Sequence, residues 1–233
     1  MEKYILGSSL LLAASGVVEA QNQVENTVKG EVRVDKPHIV LIMSDQHRGD
    51  AMNCMGNSAV VTPNMDALAQ DGTLFTNGYS STPSSTPARA GLLTGLSPWH
   101  HGMLGYGRVG SSYRYEMPAM LRELGYFTFG IGKMHWFPQK TLHGFHGTLV
   151  DESGRVESDD FISDYRLWFH MQAPGKNPDA TGIGWNDHGA GVYRLSEELH
   201  PTAWTGQMAC EMIRNYDKGS GESLFLKVSF ARP

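Results

Sequence analysis

The chain has 233 residues, of which 40% are hydrophobic and 18% charged, with a formal net charge of -5 at pH 7. This composition is typical of a globular protein with enough residues for one substantial core. The mild acidity argues against the basic face of nucleic-acid-binding proteins, so no nucleic acid partner is expected. Cys54 and Cys210 are too few and too far apart to suggest a disulfide-based fold, and we interpret both as free.

The N-terminus has the features of a secretory signal. Residues 5–18 are apolar but too few for a comfortable membrane span, and Val18-Glu19-Ala20 is a small-x-small cleavage site. We expect a signal peptide at 1–20, a mobile lead-in at 21–36 and the folded part at 37–233, in a periplasmic or secreted protein. A short buried N-terminal helix is the alternative. The sequence has no other apolar stretch near spanning length, so we expect no membrane span.

A strand is the first element predicted in the folded part. Residues 38–43 form a continuous apolar run, typical of a strand that is buried on both faces in the centre of a parallel sheet. Asp45 and Gln46 follow it, at the carboxyl end where α/β sheets place their sites. Carboxylate and amide oxygens suit calcium or magnesium. An aspartate that caps the next element is a common alternative.

Two elements are predicted next. Thr62-Pro63-Asn64 is typical of a helix start, the helix ends at Gly72, and its buried face carries Met65, Leu68 and Ala69. Residues 73–79 are predicted to form a short strand.

A second helix is predicted with Thr86 as its N-cap, Pro87 in its first position and Gly95 at its end. Ser85 then lies at the helix N-terminus, where backbone N–H groups favour anions, and Arg89 adds a positive charge one turn later. The alternative is a Ser/Thr-Pro turn before an ordinary helix.

Further strands and helices alternate along the chain. Residues 118–124 and 202–216 are predicted helices, and residues 126–131 and 224–230 are predicted strands. This alternation predicts an α/β fold with a mainly parallel sheet flanked by helices. Residues 143–199 show no long period, and we expect them to form functional or mobile loops.

Residues 85–95 carry a resemblance to a known family. Ser-x-Pro-x-Arg followed by Gly-Leu-Leu-Thr-Gly resembles the signature of the formylglycine-dependent sulfatases, which have an alkaline-phosphatase-like fold. In that family a Cys or Ser at the first position is oxidised to an aldehyde, formylglycine. Ser85 resembles the serine-type bacterial branch, which implies a radical maturation enzyme as a partner.

Two further blocks match the family in order. Residues 39–46 resemble its first strand, where Asp45 would bind the metal, although many members have a second aspartate in place of Gln46. Gly132-Lys133-x-His135 resembles the next block; alone, a Lys-x-His would be a solvated loop. The resemblance implies Ca²⁺, or Mg²⁺, bound by Asp45, Gln46 and modified Ser85. It also implies the catalytic residues Ser85, Arg89, Lys133 and His135.

The implied reaction is hydrolysis of a sulfate ester on a sulfated small molecule or glycan. The hydrated aldehyde at Ser85 attacks sulfur and the alcohol leaves. His135 then assists removal of a proton from the second hydroxyl, so that sulfate departs. Lys133 would bind a sulfate oxygen. His200 is a candidate substrate contact, with a role in a capping segment as an equal alternative.

Three expectations limit this assignment. Relatives that share the Asp-Gln start hydrolyse phosphonate monoesters or phosphodiesters, and this is the rival activity. The family has a Pro-His block after the strand at 224–230, so we expect an incomplete N-terminal part of the sulfatase fold. A third hypothesis is that this part is inactive alone. Asp187-His188-Gly189 resembles a later metal block but follows no apolar strand, so we interpret it as a substrate-side loop.

Overall fold

The computed structural model describes residues 36–152, 161–183, 187, 189–216 and 221–232. The expected signal peptide and all but the last residue of the expected lead-in lie outside these ranges, as does His188. None of the helices in these ranges has the length and apolar character that a membrane crossing requires.

The elements follow one another in an order that alternates helices with strands. In chain order they are β1 (Ile39–Ser44), a 3-10 turn (Asn53–Met55), α1 (Pro63–Asp71), α2 (Ser85–Thr94), α3 (Pro98–His101), α4 (Met117–Glu123), β2 (Tyr126–Gly132), β3 (Gly147–Val150), α5 (Asp164–Gln172), a second 3-10 turn (Glu197–Leu199), α6 (Pro201–Asn215) and β4 (Ser223–Phe230).

In the described part of the chain the sheet has four strands, in the order β1-β4-β2-β3, and every pair is parallel. The predicted parallel α/β architecture is therefore confirmed. Ser229 of β4 is the register partner of both Met43 in β1 and Gly132 in β2. Because parallel strands end at the same edge, the residues that follow β1, β2 and β3 are brought to one side of the molecule.

The predicted central position of the first strand is wrong within the described residues. There β1 is an edge strand, and Val40 and Ile42 are 43% and 61% exposed. An apolar run indicates that a strand favours burial, but it carries no information about strand order. The position beside β2 is taken by β4, which lies far later in the sequence.

Side chains of β2 and β4 alternate between two cores, as the pleat of a strand requires. On one face, Tyr126 and Phe225 pack with Leu93 of α2 and with the partly buried Leu121 of α4. On the other face the sheet packs against α6, through Phe127, Phe129, Ile131, Leu224, Leu226, Val228, Ala209 and Met212. The sheet therefore has helices on both faces.

The ends of the helices differ in detail from the predictions. Helix α2 begins at Ser85, and Ser84, not Thr86, is its N-cap residue. The N-cap of α6 is His200, whose ring accepts a hydrogen bond from the Thr202 N–H, so the predicted Thr202 cap is also wrong. The predicted end of α2 at Gly95 is confirmed by its left-handed backbone, with φ of 70°.

The segments before α2 are less buried than predicted. Helix α1 forms as predicted, but none of its residues is buried, and Leu68 is 70% exposed. The strand predicted at 73–79 does not form, and Phe75 and Tyr79 are 81% and 89% exposed. Both predictions used local patterns, whereas a buried helix face or a strand needs a packing partner.

The region 143–199 contains more regular structure than predicted. Strand β3 pairs with β2, and α5 begins at a Ser163 cap whose hydroxyl accepts the N–H of Arg166. Tyr165 and Phe169 of α5 pack with Trp204 of α6 in a third small core. The prediction for the cysteines is confirmed, since Cys54 and Cys210 are both free.

Candidate functional site

Asp45 is the centre of a cluster of polar side chains at the carboxyl edge of the sheet. Its Oδ2 accepts a 2.6 Å hydrogen bond from Lys133 Nζ, and its Oδ1 accepts bonds from Ser85 Oγ at 3.1 Å and Arg89 Nη1 at 3.2 Å. Asp45, Arg89 and Lys133 are each less than 10% exposed, while Ser85 is half-buried. Four of the predicted site residues therefore meet in the folded chain.

The charges of this cluster act on the Asp45 carboxyl. Burial would raise its pKa, but the hydrogen bond from Lys133 and the charges of Lys133 and Arg89 more than offset that effect and lower the pKa below its usual value. Asp45 is thus a carboxylate at neutral pH, shared by two buried cations.

A tight turn after β2 places Lys133 and His135. Gly132 has φ of 92°, and a Cβ there would lie 2.1 Å from the Ser229 carbonyl oxygen, so a side chain would prevent the close approach of β2 to β4. The Lys133 N–H donates to that carbonyl at 2.7 Å. His135 is 5% exposed and has a left-handed backbone, with φ of 58°.

Glu152 holds this turn in place and was missed by the sequence analysis. One of its carboxyl oxygens accepts the backbone N–H groups of Met134 at 2.9 Å and His135 at 2.6 Å. Burial raises its pKa above the usual range, and the two N–H donors and the Lys133 charge offset part of that rise. It lies two residues after β3, but no strand was predicted at 147–150, so the sequence offered no local signal for it.

A buried pair on the neighbouring loop supports the same turn and was also missed. His143 Nδ1 lies 2.7 Å from Glu116 Oε1, and Glu116 Oε1 also accepts the N–H of Tyr113. The His143 and Trp136 rings contact each other at a steep angle of 64°, with ring centroids 4.6 Å apart. Trp136 follows His135 directly, so the His143–Glu116 pair supports the part of the turn that follows His135.

Gln46 and His200, the other predicted site residues, and the loop residue Asp187 have surroundings that differ from those of the Asp45 cluster. Gln46 follows Asp45, is exposed and has φ of 57°. His200 caps α6 and packs edge-on against Tyr193 at 4.9 Å, so its described contacts are those of the capping alternative. Asp187 is exposed, and its Oδ1 accepts the N–H of Gly189.

The oxygens at Asp45, Gln46 and Ser85 have the right chemistry for a hard cation but are too few. They supply one carboxylate, one amide and one hydroxyl, and both Asp45 oxygens already accept hydrogen bonds from cations. Calcium or magnesium requires about six or more oxygens. In the described ranges no three His, Cys, Asp or Glu side chains are grouped to hold an ion. The described residues would therefore supply only part of the oxygen shell of the expected ion.

Lys227 is an unusual core residue beside this cluster. It lies on β4 between Phe225 and Ser229, on the face of the first core, and is 4% exposed. Its Nζ lies 3.2 Å from Met134 Sδ and 5.9 Å from the centroid of the Trp136 ring. Burial, and secondarily the Arg89 charge, lower its pKa to about 7.

Replacing Lys227 with methionine is expected to flatten the pH dependence of stability. The pKa of lysine in an unfolded chain is about 10.4. Between pH 7 and that value the unfolded chain therefore binds more protons than the folded protein. The free energy of unfolding of the unmutated protein then increases as the pH rises. The gain approaches about 1.4 kcal/mol per pH unit. Chemical denaturation between neutral pH and pH ~9.5 measures it.

The control for Lys227→Met is Lys176→Met, because Lys176 is exposed. Lys176→Met should keep the slope of the unmutated protein, whereas Lys227→Met should lose most of it. Equal slopes for both variants would contradict the lowered pKa of Lys227.

The sequence places the chain in a family. The family model described as Sulfatase matches residues 37–170, more than half of the chain, and the chain therefore belongs to the sulfatase family. An arylsulfatase of Clostridium perfringens is 37% identical over 212 residues, which are 85% of this chain and 43% of that protein. An N-acetylglucosamine-6-O-sulfatase of Bacteroides thetaiotaomicron is 32% identical over 153 residues, 65% of this chain and 26% of that protein.

Solved structures agree on the fold. The crystal structure of a phosphonate monoester hydrolase of Agrobacterium radiobacter superposes with a TM-score of 0.61 at 25% sequence identity, over 85% of this chain and 41% of that one. The fold is therefore the alkaline-phosphatase-like sulfatase fold, present in part. The chain spans less than half the length of the relatives to which it is similar.

Proposed function

We propose that the protein containing this chain hydrolyses sulfate esters, and that Ser85 is first oxidised to formylglycine by a serine-type maturation enzyme. The observation that carries the proposal is the convergence of Ser85, Arg89 and Lys133 on Asp45. One carboxylate is shared there by two buried cations, and an anionic substrate would complete the balance of charge. The family membership supports the same reaction.

Each residue has a separate task in the proposed reaction. The hydrated aldehyde would supply two hydroxyls, one to attack sulfur and one to release sulfate. Arg89 and Lys133 place positive charge beside the sulfate oxygens, where negative charge develops during attack. His135, in the same turn as Lys133, accepts the proton of the remaining hydroxyl. Glu152 orients that turn through the backbone of His135.

The names of two relatives support a proposal for the substrate class. The Bacteroides relative is named for a sulfated sugar, and the Clostridium relative for aryl sulfates. We therefore propose a sulfated glycan or a sulfated small molecule. A phosphonate monoester is the second candidate, because the structurally similar hydrolase of Agrobacterium radiobacter acts on that class.

The test uses the full-length protein, co-expressed with a serine-type maturation enzyme. Mass spectrometry of the Ser85 peptide should find a product lighter by two hydrogen atoms that reacts with hydrazides. The same protein should hydrolyse an aryl sulfate with a higher kcat/KM than the matching aryl phosphonate. The opposite order of kcat/KM would favour the phosphonate reaction, and an unmodified Ser85 in an active enzyme would exclude formylglycine.

A further inference from the structure

Tyr106 is an aromatic residue in the loop between α3 and α4 that is held in place without being buried. Its side chain is 71% exposed. The loop is anchored nearby, because the Gly107 N–H donates to Thr86 Oγ1 at 3.2 Å and Val109 is in the first core at 2% exposure. Thr86 follows Ser85 in α2, so the loop is attached to the first turn of that helix.

The Tyr106 ring lies beside a predicted catalytic side chain. Its centroid is 6.0 Å from that of His135, and the two rings are tilted by 59°. His135 is 5% exposed. The pair therefore crosses from the interior to the solvent, with His135 on the inner side and Tyr106 on the outer side.

A ligand anion held by Arg89 and Lys133 would carry its organic part outward, since both cations are buried. The exposed Tyr106 ring, beside His135 and so next to the turn that carries Lys133, offers a flat apolar face to this part. The loop anchors reduce the entropy lost when the ring is ordered against a ligand. These are the properties of a residue that selects among leaving groups.

We propose that Tyr106 contacts the alcohol part of the substrate and favours sulfates whose alcohol presents a flat ring face, an aryl group or a pyranose, over acyclic alkyl sulfates. This inference rests on the proposed function. Tyr106 takes no part in the proton transfers. It acts on substrate selection, and the expected effect is a change in KM.

The experiment compares Tyr106→Ala and Tyr106→Phe with the unmutated, full-length, matured protein on nitrocatechol sulfate and ethyl sulfate. Tyr106→Ala should raise KM for the aryl sulfate about five- to tenfold, the scale of one aromatic contact. It should leave kcat, its pH profile, the KM for ethyl sulfate and inhibition by inorganic sulfate unchanged. Tyr106→Phe should retain the KM of the unmutated protein.

Tyr115→Ala is the matched control, since Tyr115 is an exposed tyrosine whose ring contacts the Arg114 guanidinium. It should change neither KM. The inference is overturned if Tyr106→Ala leaves the KM for the aryl sulfate unchanged. It is equally overturned if kcat falls for both substrates with a shifted pH profile, because Tyr106 would then only position His135.

Binding measurements separate this inference from the proposed function. If the unmutated protein hydrolyses neither sulfate, the proposed function fails. Calorimetric affinities for nitrocatechol sulfate and inorganic sulfate then decide the role of Tyr106. A loss confined to the aryl sulfate in Tyr106→Ala supports it, and equal affinities in the two proteins refute it.

Discussion

Replacing Ser85 with alanine in the full-length, matured protein is expected to lower kcat for sulfate esters by about four orders of magnitude or more, the scale of losing a nucleophile. A serine hydroxyl without an adjacent base is a poor nucleophile, and the closest acidic partner of Ser85 is Asp45, which is engaged by two cations. Alanine cannot be oxidised to the aldehyde. Steady-state kinetics on an aryl sulfate measure the loss.

Ser84→Ala is the control for this experiment, because Ser84 is the neighbouring half-buried serine and its side chain makes no capping hydrogen bond. It should keep the aldehyde and most of the activity. Both variants should fold, since Ser85→Ala removes one hydrogen bond to a carboxylate, worth about 1.5–3 kcal/mol. Undiminished turnover by Ser85→Ala would end the formylglycine proposal.

Replacing Asp45 with alanine is expected to destabilise the protein by about 3–5 kcal/mol, because it removes the carboxylate that two buried cations share. Hydrolysis should be lost as well, since Arg89 and Lys133 would no longer be held together. Chemical denaturation gives the free energy of unfolding. Asp45→Asn, which keeps the shape but not the charge, separates the electrostatic part from the packing part.

Asp50→Ala provides the matched comparison, since Asp50 pairs with Arg48 at the surface, where both side chains are more than 60% exposed. Its effect on the free energy of unfolding should be much smaller than that of Asp45→Ala, because both charges of the surface pair remain in water. The pH dependence of the stability that Asp45 contributes has a definite sign. Folding lowers the pKa of Asp45, so its contribution to the free energy of unfolding is complete above about pH 4. That contribution is lost as the pH falls through the lower pKa of the folded state. Equal destabilisation by the two alanine variants would contradict the buried cluster.

The residues near Asp45 could be predicted from local patterns together with the resemblance to the sulfatase signature, on which the assignment of Lys133 depended. Asp45 follows an apolar strand, Ser85 and Arg89 begin a helix with a recognisable sequence, and Lys133 follows the next strand. Parallel strands end at one edge, which explains why Asp45 and Lys133, each just after a strand, lie close together.

The residues that support the site could not be predicted in this way. Glu152 acts across 17 residues on the backbone of His135, and Glu116 reaches His143 across 27 residues. Lys227 lies in an apolar strand where only the packing of the folded chain shows a buried amine. Such contacts depend on tertiary structure, which local sequence patterns do not encode.

The edge position of β1 and the exposure of α1 have a common reason. Both segments have apolar residues that favour burial, but burial requires a partner, and the order of strands is decided by segments distant in sequence. Local patterns predicted β1, β2, β4 and the helices α1, α2, α4 and α6, but not β3, α3 or α5, and they predicted a strand at 73–79 that does not form. The packing neighbours of each element could be identified only in the folded structure.

The place of β4 between β1 and β2 has a consequence for the order of folding. Asp45 and Lys133 are 88 residues apart, and the strands before them meet only through residues 223–230, the last of the described strands to be synthesised. A nascent chain that has emerged only through β3 therefore cannot yet assemble this edge. Closure over so long a separation is slow, and until it occurs Phe127 and Ile131 lack their β4 neighbours and are exposed to association with other chains.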